Sequence, residues 1–119
     1  MEAQRIKNYI SERLEELTRL PEKPSEDWRA KAITPAARSR ADQLSEELDW
    51  PRVPEPAVFP TSSGGVILEF HANHRELALE ITEEGELEFL TTEDGRPINE
   101  GTVHHPDAIR RLVNWLNQA

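Results

Sequence analysis

The apolar residues between Val66 and Thr92 fall into three runs that alternate with period two. In the first run Val66, Leu68 and Phe70 share one face, and Ile67 and Glu69 share the other. In the second, Leu77, Leu79 and Ile81 alternate with Glu76, Ala78 and Glu80. In the third, Leu87 and Phe89 alternate with Glu86, Glu88 and Leu90. Successive side chains of a strand point to opposite faces. Each run therefore predicts a strand with one apolar face and one face rich in glutamate. Short polar stretches join the runs, which is the pattern of an antiparallel meander covered on one side only.

The turns give an expected register. A four-residue loop over His71–His74 sets Phe70 opposite Arg75, Glu69 opposite Glu76 and Leu68 opposite Leu77. A three-residue loop over Glu83–Gly85, with Gly85 as its left-handed residue, sets Ile81 opposite Leu87, Glu80 opposite Glu88 and Leu79 opposite Phe89. Both loops keep the apolar residues on a common face. They also place Glu69 against Glu76 and Glu80 against Glu88, at a cost of roughly a few tenths of a kcal/mol per pair. Burying one aliphatic or aromatic side chain gains about 1.5–3 kcal/mol before conformational entropy is counted. The apolar face thus decides the fold, and the acidic face is tolerated.

Helical spacing flanks the meander. Ile6, Ile10, Leu14 and Leu17 predict an amphipathic helix over 2–20, ended by Pro21 and Pro24. The connector over 21–33 holds Trp28, expected to anchor that loop. Thr34-Pro35 reads as an N-cap followed by a first helical proline, with Ala37, Ala41, Leu44 and Leu48 on the apolar side. The four prolines of 51–60 exclude a central strand but allow an extended edge segment at Val58 and Phe59. Thr61 to Gly65 is a turn, as is Glu93 to Pro97, and 98–103 predicts one more strand interrupted by Gly101. His105-Pro106-Asp107 starts a last helix with an apolar stripe of Ile109, Leu112, Val113 and Leu116. Trp115 is expected to seal this helix against the sheet edge, and Arg110 and Arg111 to lie near the acidic region. The expected fold is α+β: N-terminal helices, an antiparallel β-meander of three to five strands, and a C-terminal helix packed on the apolar face. One domain is expected, with a helical part over 1–50, the sheet over 51–104 and the closing helix over 105–119.

Charge adds a second pattern. The chain has 119 residues and a net charge of −9. Between Glu69 and Asp94 stand nine acids and one base, Arg75, which leaves 14 acids and 13 bases elsewhere. Nearly all the excess charge is thus confined to the predicted sheet. Such a surface disfavours direct contact with nucleic acid or an anionic membrane. There is no cysteine, which removes disulfide and thiolate chemistry and agrees with a reducing cytoplasm. The first 17 residues carry acids throughout with no apolar core region, so no signal peptide is expected. No run approaches the ~20 apolar residues of a membrane span.

Candidate chemistry is sparse. Gly64-Gly65 is followed by a strand and lacks the lysine of a phosphate loop, and Ser62 and Ser63 lack a nucleophile elbow. His71, His74, His104 and His105 are the metal candidates, but a meander places the first two and the last two at opposite ends of the sheet. No cofactor and no catalytic residue is predicted. The leading expectation is a non-enzymatic acidic interaction protein of the bacterial cytoplasm. It would bind and regulate or neutralise a basic protein partner through Glu69, Glu76, Glu80, Glu86 and Glu88. One alternative is a metal-binding or hydrolytic enzyme using His71, His74 and nearby glutamates. Another is an inhibitor that mimics nucleic-acid phosphate. A plain solvated face is the simplest account of the glutamates. Either a monomer or a homodimer, through a sheet edge or the first helix, fits the pattern.

The stretch Phe59-Pro-Thr-Ser-Ser-Gly-Gly-Val-Ile-Leu-Glu-Phe70, followed by Glu76-Leu-Ala-Leu-Glu-Ile81, resembles a loose group of uncharacterised small bacterial and prophage-type proteins. These share a Pro-Thr-x-x-Gly-Gly turn, a strand ending in an acid and an aromatic, and a second strand of Leu-x-Ile type. Trp28 followed by Thr34-Pro35 resembles the same pattern, so the likeness extends over residues 28–116. It implies an α+β fold and a bacterial or mobile-element setting, and it implies no activity and no functional residues.

Overall fold

The computed structural model describes residues 2–19, 31–48, 50 and 52–118. Three helices and five strands follow in the order α1 (Glu2–Thr18), α2 (Pro35–Glu47), β1 (Ala57–Pro60), β2 (Val66–Ala72), β3 (Arg75–Ile81), β4 (Leu87–Glu93), β5 (Arg96–Thr102) and α3 (Pro106–Asn117). The strands form one antiparallel sheet in the order β1-β2-β3-β4-β5. The fold is α+β, with the N-terminal helices and the C-terminal helix on the apolar face. Trp28 and the prolines at 21 and 24 lie outside the described residues.

The period of two sorts the sheet as expected. Val58, Val66, Leu68, Phe70, Leu77, Leu79, Ile81 and Leu87 are buried. They join Ile6, Ile10, Leu14 and Leu17 of α1, Ala37, Ala41 and Leu44 of α2, and Ile109, Val113 and Leu116 of α3 in a continuous core. The small side chains of α2 allow close approach, and the turn between β3 and β4 comes against Ala36. Thr34 caps α2 by accepting from the Ala37 amide at 3.1 Å, and its hydroxyl donates to the Glu83 carbonyl at 2.6 Å. One side chain therefore starts a helix and pins a hairpin. Gly85 turns there with φ of 88°, and a Cβ on it would sit 3.2 Å from the Ala36 carbonyl oxygen.

One register differs from expectation. The β2–β3 connection is a two-residue turn, because Asn73 takes a positive φ of 56°. The ladder continues through His71↔Glu76 and Ala72↔Arg75 instead of stopping at Phe70. Phe70 consequently faces Leu77, Leu68 faces Leu79, and Glu69 faces Ala78, so the expected Glu69–Glu76 pair does not form. Shortening the loop by an even number of residues keeps every side chain on its expected face. The β3–β4 register is the expected one, with Ile81↔Leu87, Glu80↔Glu88 and Leu79↔Phe89.

The last hairpin turns at Asp94 and Gly95, with φ of 52° and 77°, a pair of positive values suited to the strand twist. A bulge between Thr91 and Thr92 leaves Ile98 without a ladder partner. Gly101 continues the strand, and it makes space: a Cβ there would lie 3.0 Å from the Phe89 ring. Both sheet edges are blunted. Arg13 of α1 donates to the Val58 carbonyl of β1 at 3.0 Å. β5 carries Pro97, the bulge, and the charges of Arg96 and Glu100.

Candidate functional site

The face of the sheet turned away from the helices carries the glutamates. Cross-strand rows run Phe59–Ile67–Glu80–Glu88–Thr102 and Ala57–Glu69–Ala78–Leu90–Glu100, with His71–Glu76–Thr92 toward the β2–β3 turn. Every residue of these rows is half-buried or exposed. Glu69, Glu76, Glu80 and Glu88 thus share the face, and Glu86 leads into it from the β3–β4 turn. Glu100 joins them from β5. The bulge at Ile98 shifts the alternation of β5, so simple period-two counting does not find it. Phe59, Ile67, Ala78 and Leu90 form an apolar diagonal through the acids. Adjacent strands lie about 4.8 Å apart, so the diagonal crosses roughly 14 Å of sheet.

Pairing separates this face from the helical layer. On the helices Glu15 meets Arg19 at 3.2 Å and Arg38 at 3.0 Å, Glu16 meets Arg13 at 3.0 Å, and Glu46 meets Lys7 at 3.3 Å. The Arg38 hydrogen bond, with the charge of Arg19 beside it, holds the Glu15 carboxyl below its ordinary range. Glu80, Glu86, Glu88 and Glu100 have no ion-pair partner among the described residues. Arg75, the base among these acids in sequence, points to the helix side. It lies against Trp115 and approaches Glu93 at 3.6 Å. Arg110 and Arg111 do not approach the acidic face. Arg110 meets Asp107 at 3.4 Å, and Arg111 borders a cleft on the helix side of the sheet.

The histidines divide into separate groups. His71 projects among the glutamates, with Nε2 at 2.8 Å from Glu69 Oε1 and Nδ1 at 3.5 Å from Glu76 Oε1. His74 sits in the turn, with Nε2 at 3.2 Å from Glu93 Oε1. Glu69, His71 and Glu76 offer donor atoms within 4.8 Å of one another, and so do His74, Glu93 and Asp94. Two carboxylates and an imidazole suit a divalent transition cation. Pairing of the imidazole with both carboxylates also accounts for the first cluster without an ion. Among the described residues His71 and His74 do not share a donor set. Glu80 and Glu88 face each other on an open surface without the cleft that paired acid–base catalysis needs.

The described helices include none long and apolar enough to cross a membrane. Compared with protein-family models, curated proteins and solved structures, the chain gives no match.

Proposed function

We propose that this protein acts by binding: it captures a basic protein partner on the glutamate face and thereby regulates or neutralises it. The observation that carries this reading is the contrast in pairing. Glu15, Glu16 and Glu46 of the helical layer meet arginine or lysine, whereas Glu80, Glu86, Glu88 and Glu100 meet none among the described residues, and Glu80 stands directly opposite Glu88. Folding alone favours neutralising such a pair. A cationic partner supplies the missing countercharge, and the Phe59–Ile67–Ala78–Leu90 diagonal supplies apolar contact area. Complementary charge of this kind sets association rate and selectivity more than affinity.

Affinity capture from the native host, with wild-type and Glu80→Lys/Glu88→Lys baits, tests it. The expected result is a basic protein that the wild type retains and the double variant loses, with both baits equally folded. Equal recovery on both baits overturns the reading. A partner that itself binds nucleic acid through the captured surface would turn the interaction into phosphate mimicry.

A second reading is divalent-metal binding at Glu69, His71 and Glu76, which the donor spacing favours. Elemental analysis after equilibration with zinc would show stoichiometric metal that His71→Ala removes. Metal well below stoichiometry excludes it.

A further inference from the structure

The helices leave part of the inner sheet face open. Phe89 lies in the same row as buried Leu79 yet is only half-buried, because α3 packs mainly over β2 and β3. Between α3 and the β4–β5 hairpin runs a cleft of about 410 Å³. Phe89 and Ile98 from the sheet and Leu112 and Trp115 from α3 line it, together with the polar side chains of Asn99 and Arg111. The bulge aims Ile98 into this space. Ile98 is 55% exposed, the large apolar side chain left most open among the described residues.

Two polar groups at the cleft have donors to spare. Arg111 has no hydrogen bond or ion pair among the described residues, although its neighbour Arg110 meets Asp107. Asn99 accepts from the Glu100 amide through Oδ1 at 3.0 Å, which leaves its side-chain NH2 free to donate. Apolar lining with polar donors among it is the composition of a small-molecule site, and the volume falls within the usual range of about 300–1,000 Å³. A peptide strand added along β5 is disfavoured by Pro97 and the bulge.

We propose that this cleft binds a small amphipathic carboxylate. An aliphatic or aromatic body would lie against Phe89, Ile98, Leu112 and Trp115, and its carboxylate would take the Arg111 guanidinium and the Asn99 amide. The chain's net charge of −9 opposes an anion at long range. That field is screened over about 8 Å at physiological salt, so the local guanidinium governs binding. The site lies on the opposite side of the sheet from the glutamate face and is independent of what that face does.

Titration of the full-length protein with decanoate, followed by amide and indole NMR shifts, tests the proposal. Saturable shifts are expected at the Gly101 amide and the Trp115 indole N–H. Decanol, with the same chain and no charge, is expected to bind about tenfold more weakly, the scale of one charge-assisted hydrogen bond. Arg111→Gln should bring decanoate to the level of decanol, Arg111→Lys should retain most of the difference, and Ile98→Ser should weaken both ligands. Arg111 is exposed and its removal leaves no buried partner, so the spectrum away from the cleft serves as the folding control. Absence of saturable shifts, equal binding of decanol, or shifts confined to the glutamate face overturns the proposal. Shifts at Gly101 and Trp115 that follow protein concentration without ligand also overturn it, since a second copy then occupies the cleft.

Discussion

The guanidinium of Arg75 lies over the indole of Trp115, 4.8 Å from the ring centre, and Nη1 also donates to the carbonyl of that same residue. One cation at the start of β3 thus meets both the ring and the main chain of the last turn of α3. The negative end of the helix dipole and the face of the indole both favour positive charge there. Glu93 on the neighbouring strand adds countercharge at 3.6 Å, too long for a hydrogen bond, and Arg75 Nε remains buried without one. The pair locks the C-terminal helix to the sheet end that carries the two tight turns. The Asp94 amide, donating to the His74 carbonyl at 2.9 Å, ties those turns together.

Arg75→Ala is expected to destabilise the fold by about 1–2 kcal/mol through loss of the helix-end and ring interactions. Arg75→Lys should recover only part of this, because an ammonium does not stack flat on an indole while donating to the carbonyl beside it. Urea unfolding of the variants measures both. Equal stability of Lys and wild type would show that charge alone matters at this position.

Gly65→Ala should be costly. A Cβ at Gly65 would stand 2.3 Å from the Ile81 carbonyl oxygen, which is main chain inside the β2–β3 ladder and has nowhere to move. A loss of about 2–3 kcal/mol is expected, typical of overpacking. Gly95→Ala should cost less: its φ of 77° strains the new side chain, but nothing lies within 4 Å of the added carbon. Thermal unfolding of the two variants side by side checks the order.

Thr34→Ala should remove the α2 cap and the tie to Glu83 together, for about 1–2 kcal/mol. Thr34→Ser retains the hydroxyl and should lose much less. Hydrogen exchange should show faster opening of the Gly85 amide, bonded to the Thr82 carbonyl at 2.9 Å, in the alanine variant. Unchanged exchange there would mean that the turn holds without Thr34.

Glu88→Lys is expected to hold or raise stability, by roughly a few tenths of a kcal/mol, since it turns a like-charge cross-strand pair into an opposite one. Measured beside the capture experiment, it separates function from folding: partner binding should fall while the unfolding midpoint does not. A fall in both would assign Glu88 a structural role.

Glu15 gives a pH test. Its carboxyl is held below the ordinary value of 4.5, first by the Arg38 hydrogen bond and then by the charge of Arg19. A depressed folded value means that folding favours the ionised form. The contribution is present above about pH 4.5 and is lost as pH falls through the folded value. The stability difference between wild type and Glu15→Gln should therefore shrink from neutral pH to about pH 3. The difference is small, because the group is solvent-exposed. A gap that stays constant with pH would place the effect in packing.

The alternation of Leu77, Leu79 and Ile81 with Glu76 and Glu80 was enough to assign faces, because burial outweighs every other local term and the side-chain period of a strand is fixed at two. Thr34-Pro35, Gly85 and the turn at Asp94 were readable for a related reason: each meets a backbone demand that few residues satisfy. Other features were not local. Asn73 closes a two-residue turn where His71–His74 reads equally well as a longer loop, and the choice rests on the additional ladder pairs at His71↔Glu76 and Ala72↔Arg75. Ile98 reads as an ordinary strand residue until the bulge puts it out of register. The partners of Arg75 stand 40 residues away at Trp115 and 18 away at Glu93, and the lack of a cation beside Glu80 and Glu88 among the described residues emerges only once Arg75 has turned to the helix side. Which residues enter the core follows from hydrophobic period along the chain. Which charges remain unpaired, and which apolar groups remain uncovered, follows from how helices and sheet pack across it, since Coulomb and contact energies depend on distances in space.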